Sequence, residues 1–180
     1  MITAALVILA LAIFTMNNLP SPKTTPAPVA LAHVGNSFQF LLRAPLARAA
    51  MLFGPEGERS WAGEDWNPQF LYPQPGRDIQ GAVFTVQQGQ RKSIWITTVF
   101  DASNGRMQYV SFVPNVSVST VDVQLRSVDA STTGVEVTYV RTALDATVNA
   151  EVEGLGRSDR QKGILWQEAI ETYLRKGPGQ

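Results

Sequence analysis

The chain has 180 residues, 44% of them apolar, and a formal net charge of zero with no long run of one sign. That length suits one domain plus a short extension with a sizeable core, and a neutral chain without a basic stripe argues against a nucleic-acid binder driven by phosphate neutralisation. Absence of cysteine excludes disulfides, thiolate catalysis and cysteine-based metal sites, and His33, the single histidine, is too little for a Ser-His-Asp triad within the domain or a histidine-rich zinc site.

Ala4 to Phe14 is an unbroken apolar run of signal-peptide length, too short for a comfortable transmembrane helix. A polar, Pro-rich stretch follows from Asn17 to Pro28. Ala30-Leu31-Ala32 then has the small-x-small form of a cleavage site, which would leave His33 first. Met1-Ile2-Thr3 supplies no Lys or Arg ahead of the run. Residues 1–32 are therefore read as a signal peptide or as an uncleaved membrane anchor with a Pro-rich linker, with a misplaced start codon or an unstructured tail as the remaining reading. The first two place a domain at 36–176 outside the cytoplasmic membrane, either exported (periplasmic or secreted) or held at the membrane by the N-terminal segment. His33 reads as a solvated terminal residue.

Ser37 to Arg43 alternates Phe38, Phe40 and Leu42 against Ser37, Gln39, Leu41 and Arg43, the pattern of a half-buried strand. Pro45 suits the first turn of a short helix to Phe53, with Leu46, Ala49, Ala50 and Phe53 on one face. Gly54-Pro55-Glu56-Gly57 should end it. Trp61 to Pro75 packs two Trp, a Phe and a Tyr among Pro, Gly and the acids Glu64 and Asp65, so it reads as an aromatic loop with a short strand at Gln69 to Tyr72.

Five strands follow: Gly81 to Gln88, Lys92 to Asp101, Arg106 to Pro114, Ser117 to Val128 and Val135 to Leu144. Tight turns join them, including the hairpin signal Asn104-Gly105, so an antiparallel meander is expected. Alternation assigns the inner face. Ala82, Phe84 and Val86 share one face of the first of these strands. Ile94, Ile96, Thr98 and Phe100 are read as inward on the second, and the third is ambiguous. Val121, Val123 and Leu125 face in on the fourth. Val135, Val137, Tyr139, Arg141 and Ala143 face in on the fifth.

Asp145 to Glu153 has the makings of an early helix start, which Gly154-Leu155-Gly156 should break. The long helix is then expected from Ser158, with Gln161 completing a capping box, to Lys176. Ile164, Leu165, Ala169, Ile170, Tyr173 and Leu174 would form its apolar face, and Gly177-Pro178 its stop. The fold class is thus α+β: a curved antiparallel sheet of six to seven strands wrapped around a long C-terminal α-helix, with a short helix after the first strand.

This element order, with Trp166-x-x-Ala169-Ile170-x-x-Tyr173-Leu174 in the final helix and Val137-Thr138-Tyr139-x-x-Thr142 in the strand before it, resembles the START-like (SRPBCC) superfamily of helix-grip proteins, which includes polyketide cyclase/dehydrase relatives. The resemblance covers about Asn36 to Lys176. It implies an apolar cavity between sheet and helix that takes a hydrophobic small molecule or lipid. By similarity that cavity would be lined by Phe84, Ile96, Thr98, Phe100, Val123, Tyr139, Arg141, Leu165 and Ala169, with the loop carrying Trp61, Trp66, Phe70 and Tyr72 as a lid.

An inward Arg141 needs a carboxylate, a wet cavity or an anionic ligand, because a buried guanidinium without a partner is costly. The simpler alternative is that it snorkels to the surface from the strand end, and Glu168 is a candidate partner. Glu64 and Asp65 beside Trp66 read first as a solvated turn. Three functions remain open: a non-catalytic carrier or sensor, a cyclase/dehydratase-like enzyme with Tyr139 donating a proton and Arg141 stabilising an enolate, or an envelope interaction module with a filled core. No cofactor, metal or nucleic acid is expected.

Overall fold

A computed structural model describes residues 29–177. The apolar run and the Pro-rich stretch lie outside the described residues. Ala30–Ala32 already belong to the fold. The Asn149 side chain accepts from the Ala32 backbone N–H at 2.7 Å and donates to the Ala30 carbonyl at 2.9 Å. Ala143 N–H donates to the Ala32 carbonyl.

The first strand, β1, spans His33–Leu42. Two short helices follow, α1 (Leu46–Ala50) and α2 (Pro55–Glu58). Six more strands complete the sheet: β2 (Gln69–Tyr72), β3 (Val83–Gln88), β4 (Arg91–Asp101), β5 (Arg106–Val113), β6 (Ser117–Ser127) and β7 (Thr133–Ala143). A 3-10 turn at Ala146–Val148 leads into the long helix α3, Asn149–Lys176. All neighbouring strands are antiparallel, in the order β1-β7-β6-β5-β4-β3-β2. The expected helix-grip architecture is what forms.

Helix α3 begins earlier than the capping box suggests. Asp145 caps the 3-10 turn by accepting from Thr147 N–H, and the helix runs unbroken through Gly154 and Gly156. Ser158 sits inside it and donates to the Leu155 carbonyl. The glycines survive because the helix needs one of them: a Cβ at Gly156 would stand 3.1 Å from Val34 Cγ2. Close packing on β1 outweighs a propensity cost of about 1 kcal/mol. The apolar face differs from the expected one as well. Val152, Gly156, Asp159, Gly163 and Ile170 are buried, Ala169, Tyr173 and Leu174 are half-buried, and Ile164 and Leu165 are exposed.

Near the N-terminus, His33 is exposed but not free: it opens β1, and its Nδ1 lies 2.9 Å from Thr142 Oγ1. The expected single helix from Pro45 to Phe53 divides. Gly54-Pro55-Glu56-Gly57 does not merely stop α1; Pro55 occupies the first turn of α2, where a missing N–H costs nothing.

The inward parity read for β1, β3, β6 and β7 holds, and β5 turns Met107, Tyr109 and Ser111 inward. The reading of β4 is reversed over its first half. Ser93, Trp95 and Thr97 face the interior, while Ile94 and Ile96 are exposed on the outer face. A bulge between Thr97 and Val99 then changes phase, leaves Thr98 unpaired against β5, and returns Phe100 to the inner row opposite Met107.

Candidate functional site

Register sorts the inner face into cross-strand rows. Phe40–Val135–Leu125 is the first, and Phe38–Val137–Val123–Met107–Phe100 the second. These rows are apolar and packed with Ala49, Phe53 and Ile170 into the main core. The third is Asn36–Tyr139–Val121–Tyr109–Thr97. The fourth crosses all seven strands as Val34–Arg141–Ser119–Ser111–Trp95–Phe84–Phe70. Serines at adjacent positions in a row of otherwise large residues fill little space. Above them lies a cavity of about 530 Å³, lined from both sheet and helix.

Aromatic walls surround much of this space. Trp66 meets Trp95 edge-on at 5.6 Å and Phe84 at 6.1 Å, while Phe84 and Trp95 stack at 6.0 Å. Trp61 packs edge-on against Trp166 at 5.2 Å. The indole N–H groups of Trp61, Trp66 and Trp95 donate to the Leu52 carbonyl, the Pro55 carbonyl and Ser93 Oγ. With those groups satisfied, rings rather than donors are left for the cavity. Asp65, Leu155 and Leu165, all exposed, also line it, so it opens to the surface between the loop carrying Trp66 and α3.

Arg141 is 5% exposed and does not snorkel. Its guanidinium forks onto both carboxylate oxygens of Asp159, which is fully buried on α3; the Nη2–Oδ1 distance is 3.0 Å. Lys162, one turn on, places Nζ 2.9 Å from Asp159 Oδ1. Both cations stand over the Tyr139 ring, at 4.3 Å for Arg141 Cζ and 4.8 Å for Lys162 Nζ. The candidate partner Glu168 is exposed instead. Asp159 was legible in principle: it lies inside the helix expected from Ser158 and is in phase with Gly163 and Ile170, but a charged residue beside a glycine does not mark a buried face.

Glu58 is a second residue that the sequence reading missed. It ends α2, whose first turn is capped by Asp78: Glu56 N–H and Gly57 N–H donate to its carboxylate at 2.8 and 3.1 Å. The Glu58 side chain lines the cavity and, among the described residues, forms no hydrogen bond. Burial pushes its carboxyl well above the usual carboxylate range, and the nearby Asp78 adds to this. Burial likewise raises the Tyr139 and Tyr109 hydroxyls, so both stay protonated. Tyr109 donates to the Phe53 carbonyl.

Of the residues expected at the site, Trp66, Phe84, Val123, Tyr139, Arg141, Leu165 and Ala169 line the cavity. Ile96 and Thr98 do not: the first is on the outer face, and the second is spent on a bond to the Gln108 carbonyl. Phe100 packs in the filled lower core, and Phe70 backs Phe84 at 5.5 Å. Tyr72 is exposed and Trp61 is buried, so the aromatic loop contributes mainly through Trp61 and Trp66. Glu64 and Asp65 are solvated. Among the described residues no three His, Asp or Glu side chains gather as metal ligands.

No protein-family model and no curated protein matches this sequence. Solved structures do match it. Norcoclaurine synthase from Thalictrum flavum superposes with a TM-score of 0.61 at 7% identity, covering 88% of this chain and 99% of its own. An uncharacterized protein from Bacillus thuringiensis gives 0.57 at 17% identity, over 77% of this chain and 98% of its own. Ara h 8.0201 gives 0.55 at 15% identity, over 81% and 100%. At such identities the likeness concerns the backbone architecture alone. Together with the seven-stranded curved sheet gripping α3, it establishes that this chain has a helix-grip fold.

Proposed function

We propose that this protein holds a hydrophobic small molecule or lipid between the sheet and α3, as a carrier or sensor without chemistry of its own. The observation that carries this reading is the unfilled space. Its volume of about 530 Å³ falls within the range of roughly 300–1,000 Å³ common to ligand pockets, and its walls combine a cluster of aromatic rings with a set of charged and hydroxyl side chains. A norcoclaurine synthase of the same fold is known in complex with dopamine and hydroxybenzaldehyde, which supports the idea that this architecture accommodates small aromatic molecules.

Native mass spectrometry of the protein from its own host tests the proposal. A retained small adduct released by denaturation is the expected result. A bare protein that also fails to take up a neutral apolar fluorophore would sink it.

Glu58 favours a second, catalytic reading. A carboxyl on a cavity wall that burial pushes upward, and that has no hydrogen-bond partner among the described residues, is suited to proton transfer. Arg141, tied to Asp159, is less suited to stabilise an enolate. In this reading Glu58→Gln abolishes turnover of a candidate substrate while binding persists; equal turnover in the variant would remove it.

We further propose that the domain lies outside the cytoplasmic membrane and stays attached to its apolar N-terminal segment. The run from Ala4 to Phe14 supports export. Cleavage after Ala32 would remove the hydrogen bonds that Ala30 and Ala32 make with Asn149 and Ala143. Cell fractionation with intact-mass measurement checks both halves: membrane-associated protein of full mass is expected, and a soluble form beginning at His33 would contradict retention.

A further inference from the structure

We propose that the molecule taken by the cavity carries a carboxylate, seated at the end of the cavity formed by Lys162, Arg141 and the hydroxyls of Ser111, Ser117 and Ser119, with its apolar body against Trp66, Phe84 and Trp95; the inference rests on the cavity being a ligand site. The first argument is charge. Arg141 and Lys162 share a single carboxylate, that of fully buried Asp159. One formal positive charge is left over. Tyr139 lies beneath both cations and steadies them without neutralising either. The other acids that line the cavity, Glu58 and Asp65, form no ion pair with Arg141 or Lys162: burial raises the Glu58 carboxyl and disfavours its charge, and Asp65 is exposed at the opening. In a partly enclosed, low-dielectric space an uncompensated cation attracts an anion far more strongly than it would in water.

Donor geometry is the second argument. The fork of Arg141 is occupied by Asp159, but an ammonium has three donors, and Lys162, which lines the cavity, meets Asp159 through a single ion-pair contact. Ser111, Ser117 and Ser119 are at most 7% exposed and line the same cavity, and among the described residues their hydroxyls form no hydrogen bond. Ser119 is the direct β6 neighbour of Arg141, and Ser111 the β5 neighbour of Ser119. Free hydroxyls beside a cation form a cradle for carboxylate oxygens, and hydrogen bonds to an ionised group are the stronger kind. An amine would meet Lys162 as a like charge and be rejected.

The test uses the full chain and the neutral fluorophore N-phenylnaphthylamine, displaced by naphthaleneacetic acid, naphthaleneethanol or naphthaleneethylamine at neutral pH. In the wild type the acid should displace at least about tenfold better than the alcohol, and the amine worse than both, as expected for a charge-assisted contact of more than about 1.4 kcal/mol. Lys162→Met should bring acid and alcohol level. Lys162→Arg should retain the preference, and Ser119→Ala should weaken the acid alone. Fluorophore uptake with no preference for the acid, or a preference that survives Lys162→Met, overturns the carboxylate proposal and spares the cavity. No uptake of the fluorophore overturns both.

Discussion

Asp159 holds two cations in a place where water cannot replace it. The pair with Arg141 has side-chain exposures of 6% and 0%, so removing the acid strands a guanidinium. Asp159→Ala should therefore destabilise the protein by about 3–5 kcal/mol, whereas replacing the pair together, Arg141→Met with Asp159→Leu, should recover most of the loss. Urea denaturation of the two variants measures the difference. A mild effect of Asp159→Ala would mean that the cavity is wet enough to solvate Arg141. Glu58 makes the opposite case, a carboxyl that is favoured without its charge. Its pKa is higher in the folded chain than in the unfolded one, so its contribution is complete below the unfolded value and is lost as pH rises through the folded value. The slope in that window approaches about 1.4 kcal/mol per pH unit. Glu58→Gln keeps the shape and removes the titration. Its Tm relative to wild type should rise as the pH climbs above the usual carboxylate range, as followed by circular dichroism. A pH-independent difference would show that Glu58 ionises freely into the cavity.

Glycines in α3 separate two demands on one helix. A Cβ at Gly154 would meet only Arg157 Nη2, at 3.7 Å, whereas one at Gly163 would stand 3.1 Å from the Phe38 ring. Gly154→Ala should then stabilise by up to about 1 kcal/mol through backbone propensity. Gly163→Leu should destabilise by about 1–3 kcal/mol through overpacking against β1. Both are read from urea midpoints at constant slope; a gain in both would mean that α3 is not seated closely on β1. The same element marks the limit of what the sequence discloses. The sheet was legible wherever one face was clearly more apolar, as in β1, β6 and β7. On β4 the signal inverted, because Ile94 and Ile96 are on the outside while Ser93 and Thr97 are inside, and no alternation rule anticipates the bulge that restores Phe100. In α3, glycines that normally break a helix hid its first turns, and the buried face that places Asp159 opposite Arg141 carries Gly156 and Gly163 in place of the large apolar residues by which such a face is recognised. Tyr139 and Arg141 could be placed at the site because a strand fixes side-chain direction by parity alone. Glu58 could not, because its position depends on Asp78 capping a one-turn helix from far along the chain.

Across the whole molecule, the inner face of the sheet passes from large apolar residues at Phe38 and Phe40 to serines beside Arg141, and α3 covers both ends. The lower rows are filled and supply the core; the upper rows are not, and supply the cavity. A filled-core module and a ligand-holding protein differ in what happens when bulk is added at Ser111, which lies between Ser119 and Trp95 in the fourth row. If the space above it were packed, Ser111→Leu would force neighbours off their rotamers and cost about 1–3 kcal/mol. If the space is open, the added methyl groups enter it, gain dispersion contacts and bury apolar surface, at about 0.8 kcal/mol per buried methylene. Loss of the hydroxyl costs little there, since it has no protein partner among the described residues. We therefore expect Ser111→Leu to melt at or above the wild-type temperature and to lose uptake of the neutral fluorophore in the same sample. Measuring both together matters, because lost uptake with a lowered Tm would report a damaged fold, whereas lost uptake with an unchanged or raised Tm reports a cavity that has been occupied from within.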